Sequence, residues 1–287
     1  MALATLRDVH FSYTYAESAA LQGVNLELEE GSLHGVVGLN SSGKTTLCGL
    51  LRGIIPHFHT GTLTGEVEVL GRPLLDWDPA ELSRAIGCVF DNPFTQISGI
   101  RDTVFEEIGF GLENLGVPRE EIIERVLAVI DQLGIAAIAD KNPNELSGGQ
   151  RQKVAFASII AMDADVVIID EPTSQLDPEA SEAVFEIIAG LKERGKSIVL
   201  VEHKIDLLAE FADTITVMHE GTVVRSGATR DVLSDPELES FGVRPPEVAE
   251  FAWRLARAGK PLASFPVTRA EATSAVAQRI EEVMRGN

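Results

Sequence analysis

The hydrophobic positions change period along the chain, and the changes predict its elements. Leu6, Val9 and Phe11 alternate imperfectly with polar residues; Val24, Leu26 and Leu28 alternate cleanly until Gly31, so residues 5–30 predict short strands. Leu33 to Val37, with His34 and Gly35 inside, reads as a buried strand, and Leu47 to Arg52 as the start of a helix. Val67 and Val69 between Gly65 and Gly71 predict another strand, as does Ala85 to Phe90. The period then becomes helical: Ile122, Ile123, Val126, Leu127, Ile130 and Leu133 fall on one face of a helix opened by Pro118 and closed by Gly134. Residues 96 to about 160 read as a helical insert in an α/β chain. Four consecutive β-branched residues, Val166 to Ile169, predict a strand buried on both faces of a parallel sheet.

Asp177 and Pro178 predict an N-cap and first helical position, with Val184, Ile187, Ile188 and Leu191 as the buried stripe and Gly195 as the stop. Ile198 to Val201 reads as a further buried strand, delivering Glu202 and His203. Thr214 to Met218 and Thr222 to Arg225 read as a hairpin around Glu220-Gly221. Beyond residue 235, Pro236, Pro245 and Pro246 punctuate a link. Val248, Phe251, Ala252 and Leu255 then predict an amphipathic helix ending at Gly259. Thr268 with Glu271 forms a capping box for a last helix carrying Ala272, Val276, Ile280 and Val283. This gives residues 1–235 as one domain and 236–287 as a small helical appendage.

The predicted chemistry begins at Gly38-Leu39-Asn40-Ser41-Ser42-Gly43-Lys44-Thr45-Thr46, a strand–loop–helix stretch that fits the phosphate-binding pattern G-x-x-x-x-G-K-[ST]. Two glycines let the backbone bend so that successive N–H groups aim at phosphate oxygens, and the following helix adds its positive end. Lys44 reaches the outer phosphates and Thr45 offers a hydroxyl to Mg²⁺. Ser147-Gly148-Gly149-Gln150 opens a second helix and makes a second anion site by the same dipole argument. Asp170 and Glu171 end a buried strand, where open α/β sheets hold their sites. Tyr13, judged from its neighbours alone, is a half-buried strand aromatic. His57 and His59 lack further ligands at metal spacing.

Composition narrows the classes. The 24 basic and 44 acidic side chains give a formal charge of −20, which disfavours general nucleic-acid binding and charge-driven docking on anionic lipid. No apolar run approaches a membrane span, and no N-terminal signal pattern is expected. Cys48 and Cys88 read as buried thiols in a reducing cytoplasm.

Together, the phosphate loop, Leu146-Ser147-Gly148-Gly149-Gln150, the apolar strand with Asp170-Glu171 and the strand ending at His203 resemble the ATP-binding cassette ATPases over residues 4 to about 230. The resemblance implies an α/β fold: a RecA-like P-loop NTPase core with an antiparallel β subdomain, an inserted helical subdomain and the C-terminal appendage. It also implies ATP and Mg²⁺ as cofactors. By it, Tyr13 stacks on adenine, residues 38–46 hold the phosphates, and Thr45 and Asp170 hold Mg²⁺. Glu171 orients or deprotonates the attacking water, and His203 contacts the γ-phosphate. Ser147 to Gln150 complete the ATP site of a second subunit in a head-to-tail dimer, and Asp177 closes a loop resembling the D-loop.

More narrowly, Phe11-Ser12-Tyr13, Asn92-Pro93 with Gln96, and Asp102 to Gly111 resemble the ATP-binding subunit of energy-coupling-factor transporters. That implies a second ATPase subunit, a transmembrane scaffold and a substrate-binding membrane subunit as partners, with the chain on the cytoplasmic face of the membrane. Two positions depart from the family: Ser41 replaces a usual glycine, and Asp91 replaces the usual Q-loop glutamine. Asp91 is expected to remain a metal contact, through water. Against a DNA-repair ATPase stands the lack of long heptads and cysteine pairs between motifs; against a two-cassette translation factor stands the single Lys-Thr loop. Another class of ABC transporter ATPase, or a weakly hydrolysing regulatory subunit, stays open.

Overall fold

The computed structural model describes residues 2–90, 92–174 and 176–285. Two sheets organise it. The smaller has the order β2-β1-β4-β5, with β1 Ala2–Tyr13, β2 Leu21–Glu29, β4 Gly61–Val69 and β5 Arg72–Pro73, all pairs antiparallel. The larger has the order β10-β9-β3-β8-β7-β6, built from β3 Leu33–Val37, β6 Ile86–Val89, β7 Val166–Asp170, β8 Ser197–Val201, β9 Thr214–His219 and β10 Thr222–Ala228. Only β10 runs antiparallel in it; the other neighbours are parallel.

The helices, in chain order, are α1 Lys44–Leu51, the short α2 Ile54–His57 and α3 Pro79–Ala85, then α4 Pro93–Gln96, α5 Val104–Asn114, α6 Arg119–Gln132 and α7 Gly148–Met162. They continue with α8 Pro178–Glu193, α9 Ile205–Phe211, α10 Thr229–Leu233, α11 Glu247–Arg257 and α12 Arg269–Arg285. One apolar cluster fills the space between the two sheets and α1; another lies between the other face of the larger sheet and helices α5 to α9.

The differences from the periodicity reading have local causes. The imperfect alternation of Leu6, Val9 and Phe11 is a β-bulge: register slips between Leu6 and Val9, and Asp8 takes φ 48°. One long strand therefore replaces the expected short ones. β4 begins at Gly61 rather than Gly65, because Gly61 to Thr64 pair with Tyr13 back to His10 across a second register shift. In α6, Val126, Val129 and Ile130 are buried, whereas Ile123 and Leu127 face solvent. In α8 Phe185 is buried beside Val184, Ile188 and Leu191, and Ile187 is only half-buried. In α12 Ile280 and Val283 are exposed and only Ala275 is buried, so the expected apolar stripe is not a core face. The hairpin turn is as expected: Glu220 and Gly221 take φ 47° and 78°, the twist a two-residue turn between strands demands.

His34 is buried in the middle of this frame. Its Nδ1 lies 2.5 Å from Thr214 Oγ1 and its Nε2 2.8 Å from the Glu29 carbonyl oxygen. Burial pulls its pKa below the ordinary 6.5; the Glu29 bond and the Asp213 and Glu29 charges oppose this only in part. A histidine depressed in the folded state binds fewer protons there than in the unfolded chain. Its contribution is therefore intact above about pH 6.5 and lost as pH falls through the folded value. Urea melts at pH 7.5, 6.5 and 5.5 are expected to show falling stability, and His34→Asn to flatten that slope from a lower starting stability.

Candidate functional site

The parallel strands deliver the chemistry to one edge. Val36, Val201 and Asp170 lie in one row across β3, β8 and β7. The residues that follow, Gly38, Glu202-His203 and Glu171, leave the sheet side by side. A cleft of about 400 Å³ opens there, lined by Ala20, Asn40, Ser41, Gly43, Lys44, Thr45, Thr46 and Glu171.

The loop backbone has no room for side chains at its two glycines. A Cβ on Gly38 (φ 151°) would stand 2.2 Å from the Met218 carbonyl oxygen, and one on Gly43 (φ 104°) 2.8 Å from that of Ala20. The loop is also stitched to both sheets. The Gly221 N–H donates to the Ser42 carbonyl (3.0 Å), and the Gln22 N–H to the Gly221 carbonyl (2.8 Å). Ser41 takes φ 64°, a left-handed conformation that costs a serine roughly 1–2 kcal/mol and that glycine adopts without penalty.

Lys44 is buried, and its ammonium donates to the carbonyl oxygens of Gly38 (2.9 Å) and Leu39 (2.8 Å). Burial lowers its pKa, and the nearby Glu171 and Asp170 carboxylates oppose that shift. Tyr13 reaches this region from β1. Its hydroxyl lies 3.1 Å from Thr46 Oγ1, and its ring packs edge-on against Phe11 with centroids 4.8 Å apart.

Glu171 and His203 meet directly, Nε2 to Oε1, at 2.9 Å. Glu171 takes φ 45°, and its N–H donates to the Val201 carbonyl at 2.9 Å, so the carboxylate is turned into the cleft from a strained backbone. Beneath the pair lies a group that motif reasoning had not singled out. Glu202 is buried; its Oε2 accepts from Thr173 Oγ1 (2.7 Å), and its Oε1 accepts from the N–H groups of His203 (2.7 Å) and Lys204 (3.2 Å). This carboxylate ties the turn after Glu171 to the turn carrying His203. The available signal was a charged residue directly following a fully apolar strand.

Other expected residues lie elsewhere. Ser147 caps α7: its hydroxyl accepts from the Gln150 N–H (3.4 Å), and Gln150 Oε1 accepts from the Ser147 N–H (3.2 Å). Ser147 and Gly148 are exposed, Gly149 and Gln150 half-buried, and none of the four lines the phosphate cleft. Asp177 caps α8 by accepting from the Ala180 N–H at 2.8 Å. Asp91 lies outside the described residues. Among its described neighbours in the chain, Gln96 accepts from the Phe90 N–H and donates to the Cys88 carbonyl, both at 3.0 Å. Cys48 is buried and Cys88 half-buried, and burial pushes both thiols up, Cys88 to about 12, so neither is a nucleophile at neutral pH.

The donor set suits a hard divalent cation. Thr45 lines the cleft and Asp170 ends β7 near enough to Lys44 for its charge to act on that ammonium, both oxygen donors of the kind Mg²⁺ takes.

Comparison with known proteins follows the same outline. Residues 21–174 match the family model described as ABC transporter. An energy-coupling factor transporter ATP-binding protein EcfA of Methanosarcina acetivorans is 37% identical over 277 residues, 96% of this chain and 97% of that one. The structure of cbiO1 from Clostridium perfringens, part of an ABC transporter complex cbiONQ, superposes with TM-score 0.73 at 28% identity over 90% of this chain and 97% of that one. A dimeric ATP-binding cassette in a post-hydrolysis state with ADP and Pi superposes with TM-score 0.68 at 29% identity, over 79% of this chain and 99% of that one.

The Glu202 knot gives a stability test. Glu202→Ala strands one hydroxyl and two N–H donors in a buried site and is expected to cost about 3 kcal/mol; Thr173→Val, which leaves the two backbone bonds in place, about 1 kcal/mol. Chemical denaturation of the two variants checks the order.

Proposed function

From the premise that this chain belongs to the ABC transporter family, we propose how its residues serve as the ATP-hydrolysing motor of a membrane importer. The proposed importer is of the energy-coupling-factor type. The observation that carries the assignment of roles is that Lys44 and Glu171 line one cleft while His203 reaches Glu171 at 2.9 Å.

ATP enters with its phosphates on the N–H groups of residues 38–46, and Tyr13 stacks on the adenine. To meet the phosphates, Lys44 exchanges the Gly38 and Leu39 carbonyls for phosphate oxygens. Thr45 and Asp170 would hold Mg²⁺, which when bound neutralises charge on the β- and γ-phosphates. Glu171 orients the attacking water and accepts its proton. His203 leaves Glu171 for the γ-phosphate, so the 2.9 Å contact of the free chain is a resting pair that ATP binding breaks. Catalysis of this kind is positioning and charge complementarity, with no covalent intermediate on the protein.

The exposed Ser147 to Gln150 segment is the part of the site offered to a second ATPase subunit, its N–H groups and helix end facing that subunit's γ-phosphate. ATP shared between the two faces favours the closed dimer by its differential affinity, and hydrolysis removes that bias. Among the described residues no helix is long and apolar enough to cross a membrane. The chain is proposed to act as a peripheral subunit on the cytoplasmic face. A transmembrane scaffold would dock near residues 91–115, where Ile100 is exposed, and a membrane subunit would bind the cargo.

Glu171→Gln is expected to keep ATP binding, lower turnover at least about a hundredfold and accumulate the closed dimer in size-exclusion chromatography with ATP. Turnover equal to the parent would remove Glu171 from the mechanism. A Mg²⁺ titration addresses Asp91: Asp91→Ala is expected to need more Mg²⁺ for half-maximal activity, and Asp91→Gln to restore or exceed the parent rate. Curves that superimpose would make Asp91 a turn residue.

A further inference from the structure

The phosphate loop is touched from the C-terminal side of the chain. Gly242, with φ 76°, packs so closely on Leu39 that a Cβ there would stand 2.4, 2.5 and 2.7 Å from Leu39 Cγ, Cδ1 and Cδ2. Leu39 is the residue whose carbonyl holds Lys44 in the free site. A second cleft of about 220 Å³ runs behind the loop, with Gly38, Glu202 and His203 on one wall and Gly242, Val243 and Arg244 on the other.

The segment bearing Gly242 is fixed at both ends. Upstream, Arg225 of β10 bonds Asp235 (2.7 Å) and Glu237 (2.6 Å), and its guanidinium lies 5.1 Å from the centre of the Phe241 ring. Downstream, α9, the helix that follows His203, supplies both C-terminal helices with acceptors at their N-termini. Asp206 Oδ1 accepts from the Glu247 N–H (3.0 Å) at the start of α11, and Glu210 Oε1 from the Arg269 N–H (2.8 Å) at the start of α12. These two carboxylates stand one turn apart on a helix of seven residues. The C-terminal helices are therefore attached to the helix that directly follows His203, and the link leading to them rests on the phosphate loop.

We propose that Gly242 is a positioning residue of the ATP site: through Leu39 it sets the phosphate loop, and through the link to α11 and α12 it makes the loop's position depend on where the C-terminal helices sit. The inference rests on the assignment of this loop to ATP. A methyl group at residue 242 meets Leu39 Cγ as well as both Cδ atoms, so the half-exposed Leu39 side chain must move, and in the proposed coupling the adjacent loop N–H groups move with it. Those groups then lose their aim at the phosphates, and affinity falls. A side chain that only destabilised the fold would lower the melting temperature without this specific route.

The test is a double-mutant cycle read by calorimetric titration of ATP in EDTA, where no turnover occurs. Gly242→Ala is expected to weaken ATP binding about fivefold or more in the parent chain, and by less than about twofold in a Leu39→Ala background, where the methyl has room. Gly242→Asn keeps the clash but tolerates the left-handed backbone, so it is expected to weaken ATP in the same way with a smaller loss of melting temperature. Parent-like affinity in both Gly242 variants, or equal losses in the two backgrounds, would overturn the proposal. A parent chain that binds no ATP would instead overturn the site assignment, and the inference with it.

Discussion

The register of three parallel strands is the constraint on which the site depends. With Val36, Val201 and Asp170 in one row, the phosphate loop, the turn at Glu202-His203 and the Asp170-Glu171 pair leave the sheet at one level. All of β3 and β8, and β7 as far as Ile169, are buried on both faces. A slip of one residue in β7 or β8 would exchange its two packed faces and separate Glu171 from His203 by a residue's rise, about 3.3 Å, and a slip in β3 would move the phosphate loop away from both by as much. The geometry of the proposed site is thus held by packed side chains outside it, those of Val36, Val199, Val201 and Ile168 among them.

Much of this was legible in the sequence, because β7 carries a continuous β-branched run, β3 and β8 are short and mainly apolar, and the loops that follow carry glycine, serine and paired acids at set spacings. The helix starts at Ser147 and Asp177 were legible for the same reason, since a cap is a local bond. What escaped the sequence is tertiary. The bulge at Asp8 hides one strand's period. Ile123, Leu127, Ile280 and Val283 satisfy a helical period yet face solvent, because nothing among the described residues covers them. Glu202 looks like any acid beside a histidine until Thr173 is folded against it. The contact of Leu39 with Gly242 joins positions more than 200 residues apart and has no local signature at all.

Several polar groups around the cleft are bonded to one another. Lys44 uses loop carbonyls, His203 uses Glu171 and Ser147 uses Gln150, so these three groups of the proposed phosphate site already have protein partners. Nucleotide binding on this reading is an exchange of partners more than a filling of vacancies, and its net free energy is correspondingly smaller than the gross number of new bonds suggests.

The bonds from Gly221 to Ser42 and from Gln22 to Gly221 have a consequence for cooperativity. They join a turn of the larger sheet, the start of a strand of the smaller sheet and the phosphate loop at a single junction. Local opening of that loop cannot then proceed as the fraying of a surface segment; it requires the two sheets to part where they meet. The loop is thereby tied to both sheets, and a ligand held there is a rivet between them. Occupancy would be felt as resistance to global unfolding more than as a quieting of local motion.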